Sequence, residues 1–311
     1  MKSIIANSLT KTYGKGKEKI LAVDDVSFDV NNGEIFGLIG PDGAGKTSIF
    51  RMLTTVLLPD SGSASVENFD MVNDYKKIRQ IVGYMPGKFS LYQDLTVEEN
   101  LSFFASVFNT SIQENYDLIK DIYIQIEPFK DRKAGALSGG MKQKLALCCA
   151  LIHRPNILFL DEPTTGVDPV SRKEFWEMLQ RLKKQGITIV VATPYMDEAT
   201  LCDRIALMQH GKILSVDTPD RMSDAYPDLI FEVKAGRTSS VLRALENFEP
   251  KKNVYAYGEF VHLIAESNAN FSTSSVQEYL KKSGFTNIEI NPVKASIEDC
   301  FIRLLSHKNE Y

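Results

Sequence analysis

The stretch Gly40-Pro-Asp-Gly-Ala-Gly-Lys-Thr47 constrains the fold of this chain more than any other. It follows Glu34-Ile-Phe-Gly-Leu-Ile39, an apolar run that reads as a buried strand, and it opens a helix predicted over Lys46 to Leu58, where Pro59 ends it. GxxxxGK[ST] between a strand and a helix is the arrangement a phosphate cradle needs. Its glycines let backbone N–H groups close around phosphate oxygens, and the positive end of the helix assists them. Gly40, Pro41, Asp42, Gly43, Ala44, Gly45, Lys46, Thr47 and Ser48 are therefore the candidate nucleotide contacts. Lys46 is expected on the β and γ phosphates and the Thr47 hydroxyl on Mg2+.

Further strands are predicted at Ile4 to Leu9, Val26 to Val30, Ile157 to Leu160, Ile187 to Ala192 and Arg204 to Met208, with a helix from Ser171 to Lys184. Strands alternating with helices give an α/β core. From about Pro86 to Ala150 the pattern is predominantly helical, and Thr96-Val-Glu-Glu99 offers a capping box ahead of the apolar-rich Val97 to Phe108. Residues 86–150 thus read as a helical subdomain inserted in a nucleotide-binding domain of residues 1–222. Beyond Tyr226 the rhythm changes to strand Leu229 to Val233, helix Ser239 to Asn247, strands Asn253 to Tyr257 and Glu259 to Ala265 joined at Gly258, helix Ser275 to Ser283, and strand Asn287 to Asn291. This βαββαβ order predicts a small α+β ferredoxin-like domain at 226–311. A closing helix starts at Ser296, with Asp299 completing a second capping box.

Charge and composition exclude several function classes. Lys and Arg number 36 against 40 Asp and Glu, so the net charge of -4 offers no basic field for nucleic acid. The basic run Lys11, Lys15, Lys17 and Lys19 lies among Gly14 and Gly16 and reads as a solvated loop. Cys148, Cys149, Cys202 and Cys300 have no CxxC spacing, which predicts reduced, packed thiols in a cytosolic setting. The first residues carry no signal-peptide pattern, and the longest apolar run, Leu145 to Ile152, falls far short of the roughly 20 residues that cross a bilayer. Any passage through a membrane is expected from another chain.

Leu137-Ser-Gly-Gly-Met-Lys-Gln143 lies between the phosphate loop and the acidic strand end Ile157-Leu-Phe-Leu-Asp-Glu162, and that order resembles the ATP-binding cassette (ABC) family. The resemblance implies a P-loop NTPase (RecA-like) ABC cassette of α/β class with ATP and Mg2+ as ligands. It implies that Asp161 coordinates Mg2+, directly or through water, and that Glu162 is the catalytic group that orients and deprotonates the attacking water. Tyr13 stands where the family places an aromatic ring on adenine. Ser138, Gly139 and Gly140 would contact ATP bound to a second cassette, and Thr165-Gly-Val-Asp168 resembles the loop that meets that cassette. The implied partners are a second cassette and integral membrane permease subunits, which places the chain on the cytoplasmic face of the cell membrane. The tail Val293 to Leu304 looks like the ending of ABC-2 exporter cassettes, drug-efflux ATPases among them.

Three positions depart from the family pattern. Asp42 stands where Asn is frequent, and its carboxylate is expected to point outward. Gly87 follows Gly83-Tyr-Met-Pro86 where the family has Gln, and Pro194 follows Thr193 where it has His. Glycine offers no side chain to the metal or its water, and proline offers no donor to the γ-phosphate. Pro194 is expected in the first turn of a helix, which its fixed φ suits. These gaps predict a site that binds ATP and turns it over slowly, with an intact Leu137 to Gln143 serving ATP held elsewhere. Heterodimer and homodimer both stay open. So do a mainly regulatory ATP-binding subunit paired with a more active cassette and a non-transport ABC ATPase.

Overall fold

The computed structural model describes residues 1–14, 16, 19–266 and 271–308, which form two compact units, Met1–Pro219 and Asp220–Tyr311. Lys15 and Lys17 of the basic run lie outside the described residues, and Lys11 is held by Asp60 at 2.8 Å.

The first unit contains two sheets. β1 (Lys2–Tyr13), β2 (Ile20–Asn31), β4 (Ser61–Val66) and β5 (Phe69–Asp70) form an antiparallel sheet in the order β2-β1-β4-β5. β4 is rich in Ser and Gly and has Val66 as its one branched apolar residue, so its sequence gives almost no strand signal. The second sheet runs β10-β9-β3-β8-β7-β6, from β3 (Ile35–Ile39), β6 (Val82–Met85), β7 (Ile157–Asp161), β8 (Thr188–Thr193), β9 (Arg204–Gln209) and β10 (Lys212–Asp217). It is parallel except for the edge strand β10. Every residue of β3, β7 and β8 is buried, as expected for central strands covered on both faces. One core serves both sheets: Phe28 of β2 stacks on Phe36 of β3, with ring centroids 5.6 Å apart.

Helix α1 (Lys46–Leu53) leaves the phosphate loop and packs Phe50 edge-on against Phe159 of β7 at 5.4 Å. It is shorter than the predicted Lys46 to Leu58. The Thr54 hydroxyl bonds back to the Phe50 carbonyl, Thr55 turns to φ 61, and the N–H groups of Val56 and Leu57 both fold back onto Arg51 O. A β-branched triplet with a back-bonding hydroxyl ends the helix before Pro59 is reached. α2 (Tyr75–Ile81) leads into β6. The stretch that follows is helical, with α3 (Val97–Val107), α4 (Tyr116–Tyr123) and α5 (Gly139–Leu151), and the Thr96/Glu99 capping box is formed. α6 (Pro169–Lys184) joins β7 to β8.

α7 (Pro219–Asp224) carries the chain into the second unit. There β11 (Leu229–Lys234), α8 (Thr238–Leu245), β12 (Asn253–Tyr257), β13 (Phe260–Ala265), α9 (Thr273–Lys282) and β14 (Glu289–Val293) give an antiparallel sheet in the order β12-β13-β11-β14. This is the ferredoxin-like topology the βαββαβ order predicted. Phe231, Val233, Val261 and Leu263 join Val241, Leu245, Val276 and Leu280 of α8 and α9 in one apolar cluster. The alternate residues Glu232 and His262 point to the other face of the sheet. There His262 Nδ1 donates to Asp299 Oδ1 at 2.7 Å, at the start of α10 (Ile297–Lys308).

Candidate functional site

Parallel strands gather ligands beyond their carboxyl ends. β3, β8 and β7 are neighbours, with Ile39 paired to Thr193 and Asp161 to Ala192. Gly40, Thr193 and Asp161 therefore end three adjacent strands at one level. Gly40 lies so near the β9 backbone that a Cβ there would meet Met208 O at 2.3 Å. Gly45 adopts φ 107, and a Cβ on it would meet Ala22 O at 2.3 Å, so this loop can close only with glycine at both places.

Gly43, Ala44, Gly45, Lys46, Thr47 and Ser48 line an open cavity of about 400 Å³ together with Glu162. Lys46 is buried and its Nζ donates to the carbonyls of Gly40 and Pro41 at 2.6 and 3.0 Å, which holds the ammonium against the loop. Burial pulls the Lys46 pKa below its ordinary value, against the opposing charges of Glu162, Asp42 and Asp161. Burial likewise raises the Asp161 pKa, which the Thr47 hydrogen bond opposes and the Glu162 charge reinforces. The Thr47 hydroxyl reaches Asp161 Oδ1 at 3.1 Å. This places two hard oxygen ligands together, of the kind Mg2+ takes.

Glu162 adopts φ 50. A non-glycine residue there costs on the order of 1–3 kcal/mol and persists only where its surroundings fix it. Its N–H bonds to Ala192 O at 2.8 Å and its carbonyl accepts from Thr165 N at 3.2 Å, which aims the side chain into the cavity.

The remaining predicted residues lie apart from this cluster or at its edge. Gly40, Pro41 and Asp42 do not line the cavity; the first two hold Lys46, and Asp42 is exposed. Tyr13 stands at the rim, 36 % exposed, with its hydroxyl 3.1 Å from Ser48 Oγ. Ser138 caps α5 by accepting from Met141 N; it and Gly139 are exposed, Gly140 lies against Ser171, and none of the three lines the cavity. Asp168 caps α6 through the N–H groups of Val170 and Ser171.

Of the other two departures from the family pattern, Gly87 borders the cluster and Pro194 follows the end of β8. A Cβ at Gly87 would lie 3.0 Å from Asp161 O and 3.6 Å from Glu162 Cβ, so any side chain at this position would start against the two acids. Pro194 is not in the first turn of a helix, contrary to expectation. It occupies a bend, and a short 3-10 helix begins only at Asp197. Thr193 Oγ1 accepts the Tyr195 N–H at 3.1 Å and turns the chain there instead.

Sequence reasoning missed Ile20, Leu21, Ala22 and His210, which complete the cavity wall. Ile20 pairs with Tyr13 across the β1–β2 hairpin and is 67 % exposed. An apolar Ile-Leu pair directly after a lysine-rich loop was the available signal for this shelf. His210 had none, because only the hairpin between β9 and β10 brings it to the loop, where Gly211 N donates to Ala44 O at 3.0 Å.

Comparison with known proteins agrees with this architecture. The family described as ABC transporter matches residues 23–165. The chain is similar to the probable multidrug ABC transporter ATP-binding protein YbhF of Escherichia coli, 43% identical over 236 residues that cover 74% of this chain and 40% of that relative. It spans well under half of YbhF. It is also similar to the Nod factor export ATP-binding protein I of a Rhizobium species, 33% identical over 294 residues, 93% of this chain and 94% of the relative. Among solved structures, a dimeric post-hydrolysis ATP-binding cassette bound to ADP and Pi superposes with a TM-score of 0.63 at 26% identity, covering 69% of this chain and 98% of that one. With near-complete coverage of a relative above 30% identity and a P-loop NTPase cassette fold, the chain belongs to the ABC transporter ATP-binding protein family.

Proposed function

We propose that this chain is the ATP-binding subunit of an ABC exporter, using ATP binding and hydrolysis to drive a separate membrane permease. The observation that carries the reading is the convergence of Lys46, Thr47 and Glu162 on one cavity, with Asp161 bonded to Thr47 behind its wall. Lys46 and the backbone N–H groups of Gly43 to Ser48 would hold the β and γ phosphates, while Tyr13, Ile20 and Leu21 offer the base an apolar shelf. Thr47 and Asp161 would hold Mg2+, which neutralises phosphate charge when bound. Glu162 would take the proton of a water as its oxygen attacks the γ phosphorus; the bond to the bridging oxygen breaks and ADP departs.

The exposed Ser138–Gly139 segment, outside the chain's own cavity, supports a second cassette as partner, with this segment closing over ATP held by that cassette. Among the described residues no helix is long and apolar enough to cross a membrane. The likeness to transporter ATP-binding proteins supports permease subunits as the transport path and the cytoplasmic face of the membrane as the place of this chain. Export rests on the likeness to relatives named for multidrug transport and Nod factor export.

Gly87 and Pro194 favour slow turnover at this site and a partner cassette with a fuller complement of donors. ATPase assays on the purified chain test both parts. Glu162→Gln is expected to lower the rate about a hundredfold or more, and Pro194→His to raise it on the order of ten- to a hundredfold. A wild-type rate already equal to that of the Pro194→His protein removes the slow-turnover reading, and an undiminished rate in Glu162→Gln removes the catalytic one.

A further inference from the structure

Beyond Asp161 and Glu162 lies a further carboxylate that the reaction as described does not use. Glu198 is 1% exposed, on the short 3-10 helix after β8. Both of its oxygens are engaged. Oε1 accepts from the Thr164 hydroxyl at 2.6 Å and Oε2 from the Thr193 hydroxyl at 2.6 Å. The two threonines are themselves buried and belong to different motifs: Thr164 stands two residues after Glu162, and Thr193 ends β8. The Arg172 guanidinium approaches from α6, its Nε 3.6 Å from Glu198 Oε1 and its plane over the Tyr195 ring at 4.1 Å. That Nε is buried without a hydrogen-bond partner, so Arg172 faces Glu198 as a charge.

We propose that Glu198 is a positioning residue for hydrolysis, bolting the 162–167 loop to the end of β8 so that Glu162 keeps its left-handed backbone and its aim into the cavity. The inference rests on the reading of Glu162 as the base. Left-handed geometry at a glutamate is not self-sustaining, and of the local bonds that hold it, Glu162 N to Ala192 O spans the two segments that Glu198 ties together, while Thr165 N to Glu162 O closes the loop on itself. A hydroxyl on each side, bonded to one buried carboxylate, fixes the spacing between them as a single apolar contact would not. Pro194 makes the tie more consequential. It offers no side-chain donor in the segment between Thr193 and Glu198, so on this side Glu162 is held by its own loop bonds, the Thr165 hydroxyl at 3.4 Å among them, and by the buried bridge behind that loop.

The test uses the full chain with Glu198→Ala and Glu198→Gln, read by backbone hydrogen exchange, by affinity for a non-hydrolysable ATP analogue, and by ATP turnover beside Glu162→Gln. Glu198→Ala is expected to speed exchange at Glu162, Thr165 and Val167 by about tenfold or more while the Lys46–Leu53 helix is unchanged. Turnover should fall on the order of ten- to a hundredfold with analogue affinity within about twofold of wild type, and Glu198→Gln should recover part of it. Thr164→Val and Thr193→Val each delete one arm of the bridge; if Glu198→Ala fails to fold, they carry the same expectation at smaller size. Exchange that is unchanged at those amides, or raised equally along the whole chain, overturns the proposal, as does turnover that falls only in proportion to analogue affinity. Undiminished turnover in Glu162→Gln instead overturns the reading of Glu162 as the base and leaves the exchange result to decide whether Glu198 is the clamp.

Discussion

The nucleotide cavity of the first unit and the His262–Asp299 cluster of the second are both buried sets of charges, and they are tuned in opposite directions. In the cavity, burial lowers Lys46 and raises Asp161, so folding disfavours the charged form of each. In the second unit burial again opposes charge, but it is overcome. The hydrogen bond and charge of Asp299, with those of Glu232, hold His262 above its ordinary value, and hydrogen bonds from His262, Ser296 and Tyr255 hold Asp299 below its own. Asp299 is also the acid of a capping box, accepting from Ser296 N and Oγ at 2.6 Å while its own N–H bonds to Ser296 Oγ. In the cavity burial outweighs the opposing charges, and in the second unit the paired groups outweigh burial. A set that folding strains suits a ligand that adds charge and hydrogen bonds; a set already paired holds a fold together.

The largest expected difference follows from that contrast. Below pH 6.5, Asp299→Ala leaves a buried imidazolium with only Glu232, at 3.5 Å, to oppose its charge and is expected to cost the second unit about 3 kcal/mol. Asp161→Asn removes a charge the fold disfavours, so the nucleotide-free protein should gain roughly 0.5–2 kcal/mol while losing the extra stability that Mg2+ with ATP confers on wild type. Denaturant melts of both variants, with and without Mg2+ and nucleotide, measure this. An Asp161→Asn protein less stable than wild type without ligand would show that Asp161 is held for structure, and the contrast would fail.

Acidity sharpens the comparison at intermediate size. Since the folded His262 pKa lies above 6.5, its contribution is fully present below pH 6.5 and is lost as pH rises through the folded value. Asp299 lies below 3.8 when folded, so its contribution is present above pH 3.8 and is lost as pH falls through that lower value. The second unit should therefore be most stable between about pH 4 and 6.5. The groups that face His262 are Glu232 of β11, Tyr255 and Tyr257 of β12 and Asp299 of α10, and Glu232 and Asp299 carry the opposing charge. In a series of thermal melts above pH 6.5, wild type should lose stability as pH rises and His262→Gln should not. Parallel slopes for the two proteins would place the dependence elsewhere.

How far each region could be read in the sequence follows from how local its signals are. The phosphate loop, the acidic strand end and both capping boxes at Thr96 and Ser296 are contiguous patterns whose chemistry works over a few residues, and they stood out at once. The βαββαβ order was legible for the same reason, since alternation and turn residues mark each strand. What stayed hidden depends on register between distant strands. His262 is one polar residue in an apolar strand, and nothing near it in the sequence indicates that Asp299 lies 2.7 Å away. Glu198 sits five residues beyond the end of β8, and its two threonine partners come from the turn after β7 and from the last residue of β8. The end of α1 was misread because Pro59 is a louder stop signal than the Thr54 hydroxyl that acts first.

The smallest expected effect concerns exposed apolar residues, where the two units should again differ. Ile20 and Leu229 are 67% and 45% exposed, each at the start of a strand, and by exposure alone they are equivalent. Only Ile20 borders the cavity, beside Ser48 and across the hairpin from Tyr13. Removing a solvated side chain costs the fold little, so Ile20→Ser and Leu229→Ser should each stay within about 0.5 kcal/mol of wild-type stability. A base resting on the shelf would cover Ile20 and draw on its apolar area, so Ile20→Ser should weaken ATP binding by roughly three- to tenfold, corresponding to about 0.7–1.4 kcal/mol. Leu229→Ser should leave binding unchanged. Calorimetric titration of the two variants with ATP measures the difference. Equal affinities would mean that the base does not rest on Ile20, and the shelf would then be a solvated edge like the one at Leu229.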